Sequence, residues 1–302
     1  MKHTKYKSKL GASGFTLVEL LVAMTITVVL VGMLVYMGST SMDAFNDTRN
    51  EVRASRQAKQ AMDRISRDFE SIVLRRDGND VEWLYSGDET SSLRGPSGRE
   101  IPNTNRVIFF TAATDRYNGE INTENDNGGD VSAVSYRLVY RDQISDSDAE
   151  EYAVFSLYRN LADPDEAFDL IAEDDLLAQS ATVFSDNEDL AAENFLVENI
   201  YEFTLTFIVK YTDENEAEQI ERVVMAQGGS GFNQFSIRGN TLESSPALDG
   251  QANTGTLDGV EVSITVLTDR GMTLAKNSGI SQEELLKNHS FHYTKSIITP
   301  NF

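Results

Sequence analysis

The chain has 302 residues, with 26 Lys and Arg against 48 Asp and Glu, three His and no Cys, and its formal net charge is −22. The absence of Cys excludes disulfides, Cys-ligated zinc, iron–sulfur clusters and thiol nucleophiles, and three His supply little for a multi-histidine metal centre or a Ser-His-Asp triad. The negative charge opposes binding to phosphate backbones. The composition therefore argues against an enzyme and against nucleic-acid binding, and we expect no small-molecule substrate and no cofactor.

The first forty residues have the pattern of a basic leader followed by a membrane helix. Residues 1–14 carry four Lys and no acid, whereas residues 15–37 form an apolar run whose single charged side chain is Glu19. As a helix rising ~1.5 Å per residue, this run spans roughly 34 Å, which is enough to cross a bilayer core of ~30 Å. Because basic residues precede the run, the positive-inside rule predicts a cytoplasmic N-terminus, a transmembrane helix over residues 15–38 and a head across the membrane.

The junction between leader and helix carries a family resemblance. The segment Gly14-Phe15-Thr16-Leu17-Val18-Glu19 resembles the class III signal of type IV pilins and type II secretion pseudopilins. The resemblance implies that residues 1–14 are a leader peptide, that a prepilin peptidase cuts after Gly14, and that Phe15 becomes the N-methylated new N-terminus. It also implies a bacterial inner-membrane protein with a periplasmic head, whose partners are the peptidase, membrane lipid and other major and minor pilins or pseudopilins.

Glu19 is the residue on which this interpretation depends. A carboxylate inside an apolar helix is costly unless it has a cationic partner. The amino group that cleavage would create on Phe15, in the same chain or in a neighbouring one, supplies such a cation. In the family that the segment resembles, a Glu at this position neutralises the N-terminus of the adjacent subunit and sets the filament register. A carboxylate that snorkels to the cytoplasmic interface is the alternative.

Residues 39–78 continue the helical pattern with an apolar stripe. The apolar positions, mostly three and four residues apart, are Met42, Phe45, Val52, Ala58, Met62, Ile65, Phe69 and Ile72. The pattern predicts one amphipathic helix, or two with a kink, ending near Arg76. Two pairs of opposite charge lie four residues apart on its polar face: Asp63 with Arg67, and Arg64 with Asp68.

Residues 79–302 have the composition of a β-rich head. Segments rich in β-branched and aromatic residues predict seven strands, at 106–112, 131–141, 151–160, 200–211, 219–226, 260–267 and 291–298. Between the fourth and fifth strands, a polar tip over residues 212–218 predicts a hairpin. Helices are predicted at 164–179 and 281–288, and loops at 86–105, 118–130 and 228–259. The predicted fold class is α+β, with a long N-terminal helix packed on an antiparallel β-rich head in the lollipop form of pilins.

Acidic loops are the candidates for metal binding. Glu124, Asp126 and Asp130 bring oxygen ligands together, but their segment lacks the bidentate Glu of an EF-hand loop. A second acidic group has the same chemistry: Asp163, Asp165 and Glu166. A solvated acidic surface is favoured for both groups, so no metal is assigned.

Three further features favour structural roles. Gly228–Gly231 lacks the Lys of a P-loop and has the composition of a surface turn. His289 and His292, three apart, cannot share one side of a strand, which favours strand packing over a metal site. For Trp83, packing of the helix end onto the head is favoured over ligand binding.

The head is large for a major pilin and has no Cys for a disulfide, so the chain resembles a minor subunit. Residues 54–69, ASRQAKQAMDRISRDF, are similar to the helix of pseudopilin J and of PilW-type minor pilins, and residues 196–207 and 257–267 look like the late strands of that family. This resemblance implies a tip subunit that primes a type II secretion pseudopilus. Two alternatives stay open: a PilW-like minor pilin for adhesion, motility or DNA uptake, and a membrane-anchored enzyme or binding head.

Overall fold

The computed structural model describes residues 15–75, 80–89, 95–98, 101, 103–113, 115, 129–142, 152–171, 175–179, 182–226, 231–277 and 279–300. The chain divides between Asn50 and Glu51 into two compact units. The α+β prediction is confirmed: a long apolar helix comes first, and an antiparallel β-rich head follows.

Helix α1 runs from Leu17 to Glu70. In the second unit it buries one face, and its first buried positions are the alanines Ala54, Ala58 and Ala61. These small side chains at helical spacing let the helix backbone approach the sheets closely. Farther along, Ile65 and Phe69 are fully buried, and each large side chain contributes ~1.5–3 kcal/mol by leaving water.

The end of α1 corrects the sequence prediction, which extended the helix to about Arg76. The helix ends at Glu70 because the next residues bond to a strand instead. Ile72 forms an isolated antiparallel bridge with Thr111, and the Val73 N–H donates to the Phe110 carbonyl at 2.8 Å. Those backbone groups are therefore satisfied by the sheet and have no need of a further helical turn.

Within the described residues eleven strands follow: β1 Glu82–Asp88, β2 Asn105–Thr111, β3 Ser132–Arg141, β4 Val154–Ala162, β5 Phe195–Glu198, β6 Ile200–Thr212, β7 Glu218–Val224, β8 Gln234–Arg238, β9 Thr241–Ser245, β10 Thr256–Leu267 and β11 Ser290–Ile298. A seven-stranded sheet has the order β5-β4-β3-β2-β1-β8-β9, and a four-stranded sheet has the order β11-β10-β6-β7. Neighbouring strands pair antiparallel throughout both sheets.

Five short helices complete the described chain: α2 Pro164–Ile171, α3 Leu176–Gln179, α4 Asp186–Asp189, α5 Asp269–Lys276 and α6 Gln282–His289. The predicted helix over 164–179 is therefore two helices, α2 and α3. Helix α6 is confirmed, and its N-cap Ser281 accepts the Glu284 N–H at 3.2 Å. Helix α5 was not predicted, although Thr268 caps it in the same way through the Gly271 N–H.

The predicted hairpin is confirmed, whereas two predicted loops contain strands. Strands β6 and β7 pair from Thr206 with Val224 to Thr212 with Glu218, and the inward side chains of β6 are buried as the alternation requires. The region predicted as loop over 228–259 contains β8 and β9, and that over 86–105 contains the end of β1. Strands β1 and β5 were also missed. These strands are short, and their pairing partners decide their conformation.

One core joins the face of α1 to both sheets. Phe69 of α1 stacks on Phe109 of β2 with ring centroids 4.2 Å apart, and Phe207 of β6 stacks on Phe235 of β8 at 4.4 Å. Trp83 of β1 makes an edge contact with Phe110 at 5.3 Å. Aromatic pairs of these geometries add ~0.5–1.5 kcal/mol to area burial.

A buried ion cluster fixes α1 on the larger sheet. Asp68, only 2% exposed, accepts hydrogen bonds from Arg159 Nε at 2.6 Å, from Arg159 Nη2 at 3.0 Å and from the Tyr136 hydroxyl at 2.5 Å. Burial, and then the charge of Asp68, raise the pKa of Tyr136 well above its ordinary value, so the hydroxyl stays protonated and donates. The placement of Asp68 on the polar helix face was therefore wrong, because strands β3 and β4 supply its partners.

The predicted ion pairs along the helix are replaced by pairs with the head. Asp63 pairs with Lys295 at 3.3 Å and Arg64 with Asp115, while Asp68 takes Arg159. The reason is geometric, since these side chains flank the buried face and reach the sheets more directly than they reach each other.

Another buried carboxylate lies at the start of β1 in the larger sheet. Glu82 of β1 is 3% exposed, accepts the Leu176 N–H at 2.7 Å and lies 3.6 Å from Arg238 Nη2. Burial raises the pKa of Glu82 to about 7, and Asp175 adds to this effect, while the Leu176 N–H and Arg238 oppose it. In the folded state the carboxyl is therefore mostly protonated below about pH 7.

Asp68→Asn should destabilise the head by about 3–5 kcal/mol, because Arg159 would lose its buried counterion and keep only the partly exposed Asp115. Denaturant unfolding of the full chain in micelles, followed by the fluorescence of the single Trp, Trp83, measures this. Arg53→Gln is the matched control, since Arg53 pairs with two carboxylates while 48% exposed, and it should cost under about 1 kcal/mol. Equal losses of stability in the two variants would contradict the stabilising role of the buried Asp68 cluster.

Glu82→Gln should change how stability depends on pH. The folded pKa of Glu82, about 7, lies above the ordinary value of 4.5. The stability that this side chain contributes to the fold is therefore fully present below pH 4.5 and is lost as the pH rises through 7. The Gln variant keeps an acceptor for Leu176 and lacks this loss. Relative to the unmodified chain, its free energy of unfolding should therefore rise by up to about 3 kcal/mol between pH 4.5 and pH 8. The same pH dependence of the free energy of unfolding in both proteins would contradict the raised pKa of Glu82.

Candidate functional site

The N-terminal part of α1 is an apolar surface without a cover. An 18-residue window of the helix has a mean hydropathy of 2.5, and none of it is buried. Leu17 is 75% exposed, and large apolar side chains stay at least half exposed through Met37. By length and composition this is the one helix among the described residues that could cross a membrane.

Hydroxyl groups within this stretch are satisfied by the helix itself. Thr25 Oγ1 donates to the Leu21 carbonyl at 2.9 Å, and Thr27 Oγ1 donates to the Ala23 carbonyl at 2.8 Å. A polar group with an internal partner costs little in a hydrocarbon environment. Glu19, in contrast, is charged, and it is the one formally charged side chain in residues 15–37.

Glu19 takes part in a capping box at the start of α1. Its Oε2 accepts the Thr16 N–H and the Thr16 hydroxyl, both at 2.9 Å, and Thr16 Oγ1 accepts the Glu19 N–H at 3.2 Å. Donors that would otherwise lack partners at the helix start are thus satisfied reciprocally. The carboxylate has a local role in the unprocessed chain, in addition to any role after cleavage.

Thr16 was missed as a site residue in the sequence analysis. The signal was available, because Thr16-Leu17-Val18-Glu19 has the Thr-x-x-Glu spacing of a capping box ahead of an apolar run. Of the predicted processing residues, Phe15 is 88% exposed at the start of the described chain. Gly14 lies outside the described residues.

Residues 10–35 match the family model of the prokaryotic N-terminal methylation motif. The motif indicates a type IV pilin-like or pseudopilin subunit. Pilin-like subunits with this motif are generally non-catalytic and structural, and the motif implies processing by prepilin peptidase and assembly with other pilins. The motif and the apolar helix are consistent with anchoring in the inner membrane. No curated protein matched the chain.

The two acidic groups considered for metal binding differ in what the structure shows of them. Glu124 and Asp126 lie outside the described residues, and Asp130 lies just before β3. Asp163 and Glu166 form a second capping box, in which Asp163 Oδ1 accepts the Glu166 N–H at 3.0 Å at the start of α2. Over the described ranges, no group of three or more His, Asp or Glu side chains could hold a metal ion.

The two C-terminal histidines belong to separate elements. His289 ends α6, whereas His292 lies on β11, where its ring nitrogens are 3.3 Å from Thr265 Oγ1 and 3.1 Å from Thr294 Oγ1. The predicted strand packing describes His292 only. Gly231 borders β8, while residues 228–230 lie outside the described chain.

Trp83 is buried as predicted, and its neighbours are now defined. Besides the edge contact with Phe110, the guanidinium of Arg75 lies 6.0 Å from the ring centroid. The ring thus packs the segment that follows α1 onto β1 and β2.

A polar cavity of about 520 Å³ opens beside α1 in the second unit. Its lining includes Arg64, Arg67 and Arg159 together with Asp115 and Glu193. Arg64 and Arg159 both pair with Asp115, so charges of both signs are largely matched inside the cavity. The cavity therefore selects no ligand of a single charge.

Proposed function

We propose that the chain is a minor pilin-like subunit without catalytic activity, which sits at the tip of a type II secretion pseudopilus and primes its assembly. The observation that carries the proposal is the unburied apolar helix, whose start is capped through Glu19 within the methylation motif. A surface of this length must be covered by lipid or by other apolar helices.

Processing would change the surroundings of Glu19. Cleavage after Gly14 converts the Phe15 amide nitrogen into an amine, one residue before the Thr16 N–H that now donates to Glu19. An ammonium is a stronger partner for a carboxylate than a neutral N–H. On the proposed route the cation comes from the same chain in the membrane, or from an adjacent subunit in the filament.

Assembly would then be an exchange of neighbours. The apolar half of α1 leaves lipid and gains other apolar helices, which are similar surroundings for its Leu, Val and Met side chains. The carboxylate exchanges one partner for another. Both exchanges change the free energy little, as a reversible filament requires. In the proposed topology the N-terminus is cytoplasmic and the head is periplasmic.

A PilW-like minor pilin is the second candidate. It rests on the similarity of residues 54–69 to both classes of minor subunit, and the structure buries one face of this segment on the head. Deletion of the chain separates the two candidates: loss of protein secretion with intact surface fibres supports the pseudopilus, and loss of fibres with intact secretion supports the pilus.

The processed chain should begin at N-methylated Phe15. Intact mass and N-terminal peptide analysis of the membrane-extracted protein, from cells that contain the peptidase, measure this directly. In cells without the peptidase the mass should include residues 1–14. A start at Met1 in both strains would overturn the proposed processing.

Two substitutions separate the charge of Glu19 from its capping role. Glu19→Gln keeps a side chain that suits a capping box but removes the charge, whereas Glu19→Ala removes both. If the carboxylate neutralises an N-terminal amine, both variants should insert into the membrane and both should lose at least about tenfold in filament incorporation, scored by co-purification with the other subunits. Incorporation of the Gln variant at the native level would show that capping, not charge, is what assembly needs.

A further inference from the structure

Strand β11 is an edge of the four-stranded sheet, and one side of its backbone has no partner among the described residues. The His289 carbonyl accepts the Thr268 N–H, and the Thr299 N–H donates to the Asp258 carbonyl. Because bonding alternates along an antiparallel pair, the odd-numbered residues of β11 bond to β10. The N–H and C=O groups of the even-numbered residues therefore point away from the sheet. We call four of these residues the β11 edge: His292, Thr294, Ser296 and Ile298.

The β11 edge lacks the features by which proteins usually protect an edge strand. All nine residues of β11 pair with β10, and no bulge interrupts the register. The four edge side chains are exposed, and none is Lys, Arg, Asp, Glu or Pro in a chain of net charge −22. Ile298 is 82% exposed. A long and regular edge of this composition is a template for pairing with another strand.

The other edge strands of the described head are capped, charged or short. Strand β5 is capped by α1, since Gln60 Nε2 donates to the Leu196 carbonyl at 3.0 Å. Strand β7 carries Glu218 and Arg222, and strand β9 has only five residues. Charged side chains and short length both discourage the addition of a strand. Of the four edges, the β11 edge is therefore the best suited to accept one.

Helix α1 places a cation beside the β11 edge. Ser55 hydrogen-bonds the Tyr293 hydroxyl. Eight residues later, Asp63 pairs with Lys295 at 3.3 Å. Lys59 lies midway between Ser55 and Asp63 in the same row, because residues four apart share one side of a helix. Lys59 is exposed, and no carboxylate of the described chain pairs with it. A strand added to β11 would therefore meet an available cation on its α1 side.

We infer that the β11 edge accepts an extended strand from a different pilin-like subunit, which places an acidic side chain toward Lys59. The inference rests on the proposed function, in which this chain meets other subunits. Main-chain bonds to the edge residues supply affinity, and the acid fixes the register. Glu51 interacts electrostatically with Tyr293, so it disfavours an acid at the start of β11. A second copy of this chain fits less well, because the neighbours of a minor tip subunit are other subunits.

Proline substitution tests the pairing, because at an outward position it removes an edge N–H without removing a bond to the neighbouring strand. The full chain carries a photo-crosslinking residue at position 296, in cells that make the other subunits. It should crosslink to a subunit with a prepilin motif, and Thr294→Pro should lower the yield at least about tenfold. The matched control is Ile220→Pro, at an outward position of β7, which should change the yield less than about twofold.

Three results of this crosslinking would overturn the inference: a dimer of the chain alone, crosslinks to lipid alone, or equal losses in the two Pro variants. A processed chain that begins at Phe15 yet gives no crosslink refutes this inference alone. A chain that keeps residues 1–14 in cells with the peptidase contradicts the proposed processing instead.

Lys59→Glu is a second variant, and it leaves β11 itself unchanged. It should lower the crosslink yield about fivefold, whereas Arg270→Glu, an equal charge change at an exposed position of α5, should lower it less than about twofold. Equal yields in these two variants would overturn the acid toward Lys59. In the purified complex, the Thr294 and Ser296 amides should exchange hydrogen at least about tenfold more slowly than in the chain alone. Unchanged exchange in the complex would overturn strand addition.

Discussion

The head depends on one carboxylate that reaches from a helix into a sheet. Asp68 of α1 takes a guanidinium from β4 and a hydroxyl from β3, and all three groups are inaccessible or nearly so. Burying such a charge is unfavourable in itself, and it is tolerated here because the carboxylate oxygens are fully hydrogen-bonded. The cluster consequently sets the rotation of the helix, since a slip of one residue would strand three polar groups in the core.

That rotation decides what the rest of the helix presents. With Ala54, Ala58 and Ile65 against the sheets, the long cationic side chains on the other side face solvent. That side also carries Asp63 and Glu70, so it presents charges of both signs.

The N-terminal part of α1 follows a different constraint. It has no core to join within its own unit, and its polar groups are satisfied by Thr back-bonds and by the capping box at Thr16 and Glu19. The same carboxylate is therefore both the cap of a helix and the charge expected to meet a new amine. Since a cap requires only an acceptor while a register contact requires a charge, the two roles are chemically separable.

The sequence alone was sufficient for features that depend on short-range pattern: the apolar helix, the β6–β7 hairpin and most of the longer strands. Hydropathy and a period of two or 3.6 residues express these directly. Tertiary structure decided the rest. Strands β5, β8 and β9 have four or five residues and take their conformation from the strands beside them. Asp68 and Glu82 have the sequence signature of surface acids, and only the fold brings Arg159 to Asp68 across 91 residues of chain and buries Glu82 against Leu176. A local pattern reports which face is apolar, but it cannot report which distant group will neutralise a buried charge.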